Sequence, residues 1–215
     1  MDIDQLLTTT RSARKTLDLE APVDLAVVRE CLRIGLQSAN GSNNQSWRWL
    51  VVADPEVRAE VAAQYRAAYE SQTKGRYFSD KVSNDNPAGR MTTSTEWLVN
   101  HLAEVPLFVI PCYEPYMRRS EGDESFQLAT TYGSIFPPVW NFQLALYSRG
   151  YGTCITTLHL LREAQVRDIL GIPESYTQGC LLPVARLKPG TVFKPAPRKP
   201  IDEVVAVDRW DGRPL

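Results

Sequence analysis

Histidine, cysteine and any excess of one charge are scarce in this sequence, and each scarcity removes a class of chemistry. The only histidines, His101 and His159, have no carboxylate or cysteine at ligand spacing, which argues against a metal centre. Cys31, Cys112, Cys154 and Cys180 are widely separated, sit in apolar surroundings and form no CxxC pair. They read as buried free thiols of a reducing compartment. A nucleophile elbow of GxSxG type, a GxxxxGK[ST] phosphate loop and an HExxH motif are all missing. The net charge is −1, which gives no reason to expect a nucleic-acid or anionic-membrane partner. The most apolar run, Val105 to Ile110, is far short of the roughly 20 residues that span a bilayer. The acidic start, Met1-Asp2-Ile3-Asp4, lacks a basic stretch followed by an apolar one, so no secretory signal and a cytoplasmic location are expected. With neither a side-chain nucleophile nor a metal in view, difficult chemistry falls to an organic cofactor, and no catalytic side chain is assigned.

What is present suits one well-buried core: 215 residues, 43% of them apolar and 23% charged. Asp24 to Leu36 reads as a helix capped by Asp24, with Leu25, Val28, Leu32 and Leu36 on one face. Trp47 to Ala53 reads as a buried strand. Asp54-Pro55-Glu56 then opens a helix that carries Val57, Val61 and Tyr65. The periodicity fails from Glu70 to Thr95, a polar stretch read as a mobile cover over a binding site or as an irregular surface excursion. Val105 to Cys112 is the central-strand candidate, and Ile135 to Ser148 a buried helix with Pro137-Pro138 in its first turn and Gly150 as its stop. Thr153 to Thr157 and Cys180 to Arg186 read as strands, Arg162 to Leu170 as a helix closed by Gly171, and residues 188–215 as a proline-rich, basic C-terminal arm. No repeat or linker divides the chain, so one α+β domain over residues 1–215 is expected.

Two short segments carry a possible function. Arg11-Ser12-Ala13-Arg14 places two guanidinium groups and a hydroxyl within reach of one phosphate. The same residues also suit an exposed basic helix start. Asn40-Gly41-Ser42-Asn43-Asn44-Gln45-Ser46-Trp47 supplies amide donors and acceptors, small residues that admit a flat ring, and an aromatic. An ordinary polar loop between helix and strand would look similar. Together the segments suit a ligand with a phosphate at one end and a heteroatom-rich ring at the other, as in flavin mononucleotide (FMN). Pro197-Arg198-Lys199-Pro200 adds positive charge near the other terminus.

In this combination the chain resembles the nitroreductase family of FMN-dependent oxidoreductases. The Arg11–Arg14 segment is similar to the family's R-[RS]-S-x-R, and the polar run to P-S-x-x-N-x-Q-P-W, with Asn43, Gln45 and Trp47 in register. Gly133-Ser134-Ile135 leading to Asn141, and then Arg149 to Cys154, resemble the central helix and the following GLGTC strand. Leu170 to Glu174 resembles the LGIPE turn, and Pro197 to Val205 the closing RRPLEEVV. The resemblance implies a nitroreductase-like α+β fold, with a central mixed or antiparallel sheet flanked by helices in an intertwined homodimer. It implies that Arg11, Ser12 and Arg14 hold the phosphate and ribityl end of FMN, joined by Arg198 and Lys199. Asn40, Gly41, Ser42 and Asn43 would come from the partner subunit. Ser134 would lie near the flavin, and Ile155, Thr156, Thr157 and Leu158 would line its face or edge. The chain departs from the pattern at Thr10 (often arginine), at Ala39 and Ser46 (prolines), at Thr157 (acidic in some members), and at Trp97 and Asn100, where some members place an Asn and a Lys.

The activity so implied is ping-pong passage of a hydride from NADH or NADPH, through bound FMN, to a small acceptor such as a nitroaromatic, a quinone or an activated alkene. Two alternatives stay open: another flavin chemistry on the same fold (dehalogenation, flavin destruction or dehydrogenation), and a non-catalytic flavin-binding protein.

Overall fold

The most apolar run of the sequence becomes the middle of the sheet. Strand β3 (Leu107–Tyr113) is buried along almost its whole length. It pairs with β2 (Trp47–Val52) from Trp47 opposite Tyr113 to Val52 opposite Phe108. Its other edge takes β6 (Leu182–Leu187) and the short β5 (Thr177–Gln178). Strands β1 (Leu17–Asp18) and β4 (Tyr151–Gly152) both add to β6. Every pairing among the described residues is antiparallel. The computed structural model describes residues 2–73, 87–115 and 124–215.

Because side chains alternate along a strand, β3 divides the core in two. Phe108, Ile110 and Cys112 face one cluster, and Leu107 and Val109 the other. The first cluster is covered by α3 (Pro55–Thr73), α4 (Pro87–His101) and α6 (Glu163–Leu170), through Val61, Tyr65, Leu98, Val99 and Val166. The second is covered by α2 (Leu25–Gly35) and α5 (Glu124–Tyr147), through Val28, Cys31, Val139, Phe142 and Leu146. This is the α+β sandwich expected from the sequence.

The expected caps are in place: Asp24 accepts from Ala26 N at 2.8 Å, and Asp54 from Glu56 N at 2.9 Å. Gly150 and Gly171 adopt φ of +77° and +62° at the ends of α5 and α6. Among the described residues no helix is long and apolar enough to cross a membrane.

Four expectations change. The Glu70–Thr95 stretch is helical at both described ends: α3 continues to Thr73 and α4 begins at Pro87. Its middle, residues 74–86, lies outside the described residues, and with it the expected cover. The buried helix begins at Glu124 instead of Ile135, so Pro137 and Pro138 stand inside it. Its added first half exposes Phe126, Leu128 and Tyr132, so it has no buried stripe for a periodicity argument to detect. The two prolines leave the carbonyls of Gly133 and Ser134 without their i+4 donors. Thr153 to Thr157 is not a strand: β4 ends at Gly152, and only Thr156 bridges, to Leu181. The central and last strands also start later than expected, at Leu107 and Leu182.

Candidate cofactor site

Helix α1 (Ile3–Thr9) stops one residue before its Thr10 cap, so Arg11 to Arg14 lie in irregular chain after a helix and not at the start of one. Ala13 pins this segment to the core, since its N–H donates to Thr153 O at 2.9 Å. The approach requires Gly152. A Cβ there would fall 2.8 Å from Ala13 Cβ, 2.6 Å from Leu187 Cδ2 and 2.9 Å from Leu17 Cδ2. Arg11 donates to Thr10 O at 3.2 Å and to Lys194 O at 3.0 Å, so the N-terminal segment and the C-terminal arm meet. Ser12 is exposed.

Arg14 is half-buried and makes no ion pair among the described residues. Its Nε is fully buried with no hydrogen-bond partner, as is the hydroxyl of Thr153. The guanidinium lies beside Cys154: burial pushes that thiol up to about 11, against the opposing pull of Arg14. A buried donor left unanswered costs about 1–3 kcal/mol, and more when it is charged. An anion at this point would relieve that cost.

Thr156 continues the same wall. Its backbone exchanges bonds with Leu181, N to O at 3.0 Å and O from N at 2.8 Å. Its hydroxyl meets Tyr65 Oη at 2.7 Å. Thr157 is exposed, and its hydroxyl has no partner among the described residues. On either side, Ile155 packs half-buried against the α2/α5 cluster and Leu158 against the α3/α4/α6 cluster.

The polar run forms a separate group. Gly41–Asn43 make one 3₁₀ turn, and Ser42, Asn43 and Gln45 hold φ of +53°, +50° and +50°. Three non-glycine residues in the left-handed region carry backbone strain of order 1 kcal/mol or more each. They are tied in place: Asn40 Oδ1 accepts from Gln45 N at 3.2 Å, and Gln45 Nε2 donates to Asn43 Oδ1 at 3.2 Å. Gly41 N donates to Ser134 Oγ at 3.0 Å, and Ser134 donates onward to Thr130 O at 2.8 Å. The loop, Tyr113, Phe126 and Ser134 line a cleft of about 130 Å³. Cofactor pockets usually run to about 300–1,000 Å³, so this cleft is a partial one.

The site residues expected from the sequence therefore fall into two groups. Arg11, Ser12, Arg14 and Ile155 to Leu158 are joined through Ala13–Thr153. Asn40, Gly41, Ser42, Asn43 and Ser134 are joined through Gly41–Ser134. No hydrogen bond links Arg11, Ser12 or Arg14 to residues 40–46 among the described residues. Arg198 and Lys199 are exposed, and Arg198 donates to Pro197 O at 3.1 Å with no bond to Arg11 or Arg14. Sequence reading missed Tyr65, whose place in an apolar stripe marked it only as core. It also missed the carboxylate beside His101, whose Nδ1 lies 3.1 Å from both Glu104 oxygens.

A model of the Nitroreductase family matches residues 7–186. An iodotyrosine deiodinase from Daphnia pulex is 24% identical over 185 residues, which is 86% of this chain and 59% of that protein. The chain thus spans about three fifths of the length of that curated relative. A crystal structure of an iodotyrosine deiodinase bound to FMN and 3-iodo-L-tyrosine superposes with TM-score 0.70 at 18% identity, covering 97% of this chain and 99% of that one. A BluB-like flavoprotein from Clostridium difficile 630 gives 0.72 at 18% identity, covering 97% and 100%. An FMN and NADPH-dependent nitroreductase from Sphigopyxis sp. strain HMH gives 0.71 at 18% identity, covering 99% and 100%.

Proposed function

This chain belongs to the nitroreductase family, and from that premise and the unanswered cation at Arg14 we propose that it is an FMN-dependent oxidoreductase working as a homodimer. Arg14 carries the reading: a half-buried guanidinium beside Cys154, with no ion-pair partner among the described residues and a buried Nε without a hydrogen bond, fits a phosphate group. Arg11 and Ser12 border the same place, and Arg198 and Lys199 would join from the arm. Ile155, Thr156, Thr157 and Leu158 would line the ring.

The polar loop supports the dimer. Its anchors, α2 and α5, cover one face of the sheet, whereas Ala13, Cys154 and Tyr65 belong to the cluster on the other. The loop therefore lies apart from the Arg11–Arg14 segment, and Asn40, Gly41, Ser42 and Asn43 would serve the cofactor held by a second copy. When bound, the flavin would supply hydride-transfer chemistry between NADH or NADPH and a nitroaromatic, quinone or similar acceptor, for which ping-pong kinetics is expected. The chain's part is to grip the phosphate, orient the ring and exclude water.

A second reading, reductive dehalogenation, is favoured by the deiodinase likeness.

The visible spectrum of the purified protein tests the cofactor. Flavin bands are expected, with the dissociation constant for FMN raised by at least tenfold in Arg14→Ala and further in Arg11→Ala/Arg14→Ala, since a charge-assisted bond contributes about 1.5–3 kcal/mol. Colourless protein that takes up no added FMN sinks the reading. Oxidation of NADPH in the presence of a quinone supports the first chemistry; iodide release from an iodophenol by the dithionite-reduced flavoprotein, two electrons and a proton replacing each iodide, without quinone turnover, favours the second. Failure of NADH and NADPH to reduce the bound flavin anaerobically, together with no iodide release from the dithionite-reduced protein, would point to a non-catalytic binder.

A further inference from the structure

Tyr65 lies on α3, 1% exposed, in the cluster that also contains Ala13 and Cys154. Its hydroxyl sits 2.7 Å from Thr156 Oγ1. Burial pushes Tyr65 up to about 12, so at neutral pH it keeps its proton. A buried tyrosine hydroxyl needs a partner, yet a Phe and Val pair of similar shape would fill this space with no polar group to satisfy. The hydroxyl pair is therefore not required by packing.

Its consequence lies one residue along the chain. Thr156 is held at three points: backbone N–H and C=O to Leu181, and side chain to Tyr65. That commits the Thr156 hydroxyl to α3. Thr157, next in sequence, is exposed with its hydroxyl uncommitted among the described residues. We infer that Tyr65 is a positioning residue for the cofactor: by drawing the Thr156 hydroxyl toward α3, it fixes this stretch so that Thr157 alone presents a hydroxyl to the reactive edge of the ring. The inference rests on the FMN reading above. An oxidised flavin offers lone-pair acceptors at that edge, so a loosened Thr157 weakens the hold on the oxidised form more than on the reduced one.

The test uses the full-length protein loaded with FMN, with dye-equilibrated spectroscopic titration of the bound flavin and thermal unfolding run beside it. In Tyr65→Phe and in Thr156→Val, affinity for oxidised FMN is expected to fall about tenfold relative to reduced FMN. That ratio is a rise of about 30 mV for a two-electron couple. Thr156→Ser, which keeps the hydroxyl, should stay near wild type. The double variant Tyr65→Phe/Thr156→Val should show no more than either single change, because both break the same bond. If Tyr65→Phe fails to fold, Thr156→Val and Thr156→Ser carry the comparison. Unaltered potential and spectrum in variants that bind FMN, or additive shifts in the double variant, would overturn the inference while leaving the FMN reading intact. Wild-type protein that binds no FMN overturns both.

Discussion

His159 is 0% exposed, and neither ring nitrogen has a partner among the described residues. Burial lowers its proton affinity from 6.5 to about 4. The unfolded chain therefore binds a proton that the folded one refuses, across the window from pH 6.5 down to about 4. Its contribution is fully present above pH 6.5 and is lost as the pH falls through that window, up to about 3 kcal/mol. Urea unfolding at pH 7 and pH 5 should show this loss in wild type and a flatter profile in His159→Leu; equal slopes would mean another group sets the acid limb. Arg14 and Arg11 were legible at this scale because charge close together in sequence is a local property. Tyr65 was not: only its neighbour across the fold, Thr156, separates it from an ordinary core aromatic.

Among the elements, α5 departs furthest from expectation and bears most on the site. Its polar first half and internal Pro137-Pro138 carry none of the usual signs of a continuous helix, yet that half places Ser134 under the polar loop. Ser134 was expected near the flavin. Its hydroxyl receives Gly41 N–H and donates to Thr130 O, so it anchors the loop proposed to meet the ring. Strain at Ser42, Asn43 and Gln45 makes such anchoring necessary. Ser134→Ala should cost about 1 kcal/mol of local stability and speed hydrogen exchange at the Gly41 amide about fivefold, with little effect on the rest of the sheet. Unchanged exchange at Gly41 would show that Asn40 and Gln45 hold the loop unaided. The caps at Asp24 and Asp54 and the stops at Gly150 and Gly171 were read correctly because each acts within a single turn.

For the whole molecule, the C-terminal arm carries the most exposed apolar surface beyond Lys194. As far as Lys194 it is fastened: Lys188 N donates to Thr16 O at 2.9 Å, Lys188 Nζ to Lys15 O at 3.0 Å, and Phe193 packs against Tyr147. Beyond Lys194, Ile201, Val204 and Leu215 are exposed, and Trp210 is 100% exposed. Four bare apolar side chains on one arm fit burial against a second copy. Sedimentation should therefore show a dimer, and Trp210→Ala should weaken it by roughly ten-thousandfold, because the two symmetry-related side chains together lose about 6 kcal/mol of burial. A wild-type monomer at all concentrations would contradict both the dimer and the shared site.

Read alone, the sequence determined the apolar run that becomes β3, the helix caps and stops, and the chemical character of the two candidate segments. Each of these is written in neighbouring residues or in a short period. The tertiary structure alone decided that the buried Nε of Arg14 lacks an acceptor, that Ser134 supports a loop, that Thr156 turns toward Tyr65, and that the two segments are anchored on opposite faces of the sheet. Those outcomes depend on which distant groups meet once the chain is packed, and no local pattern of residues encodes such a meeting.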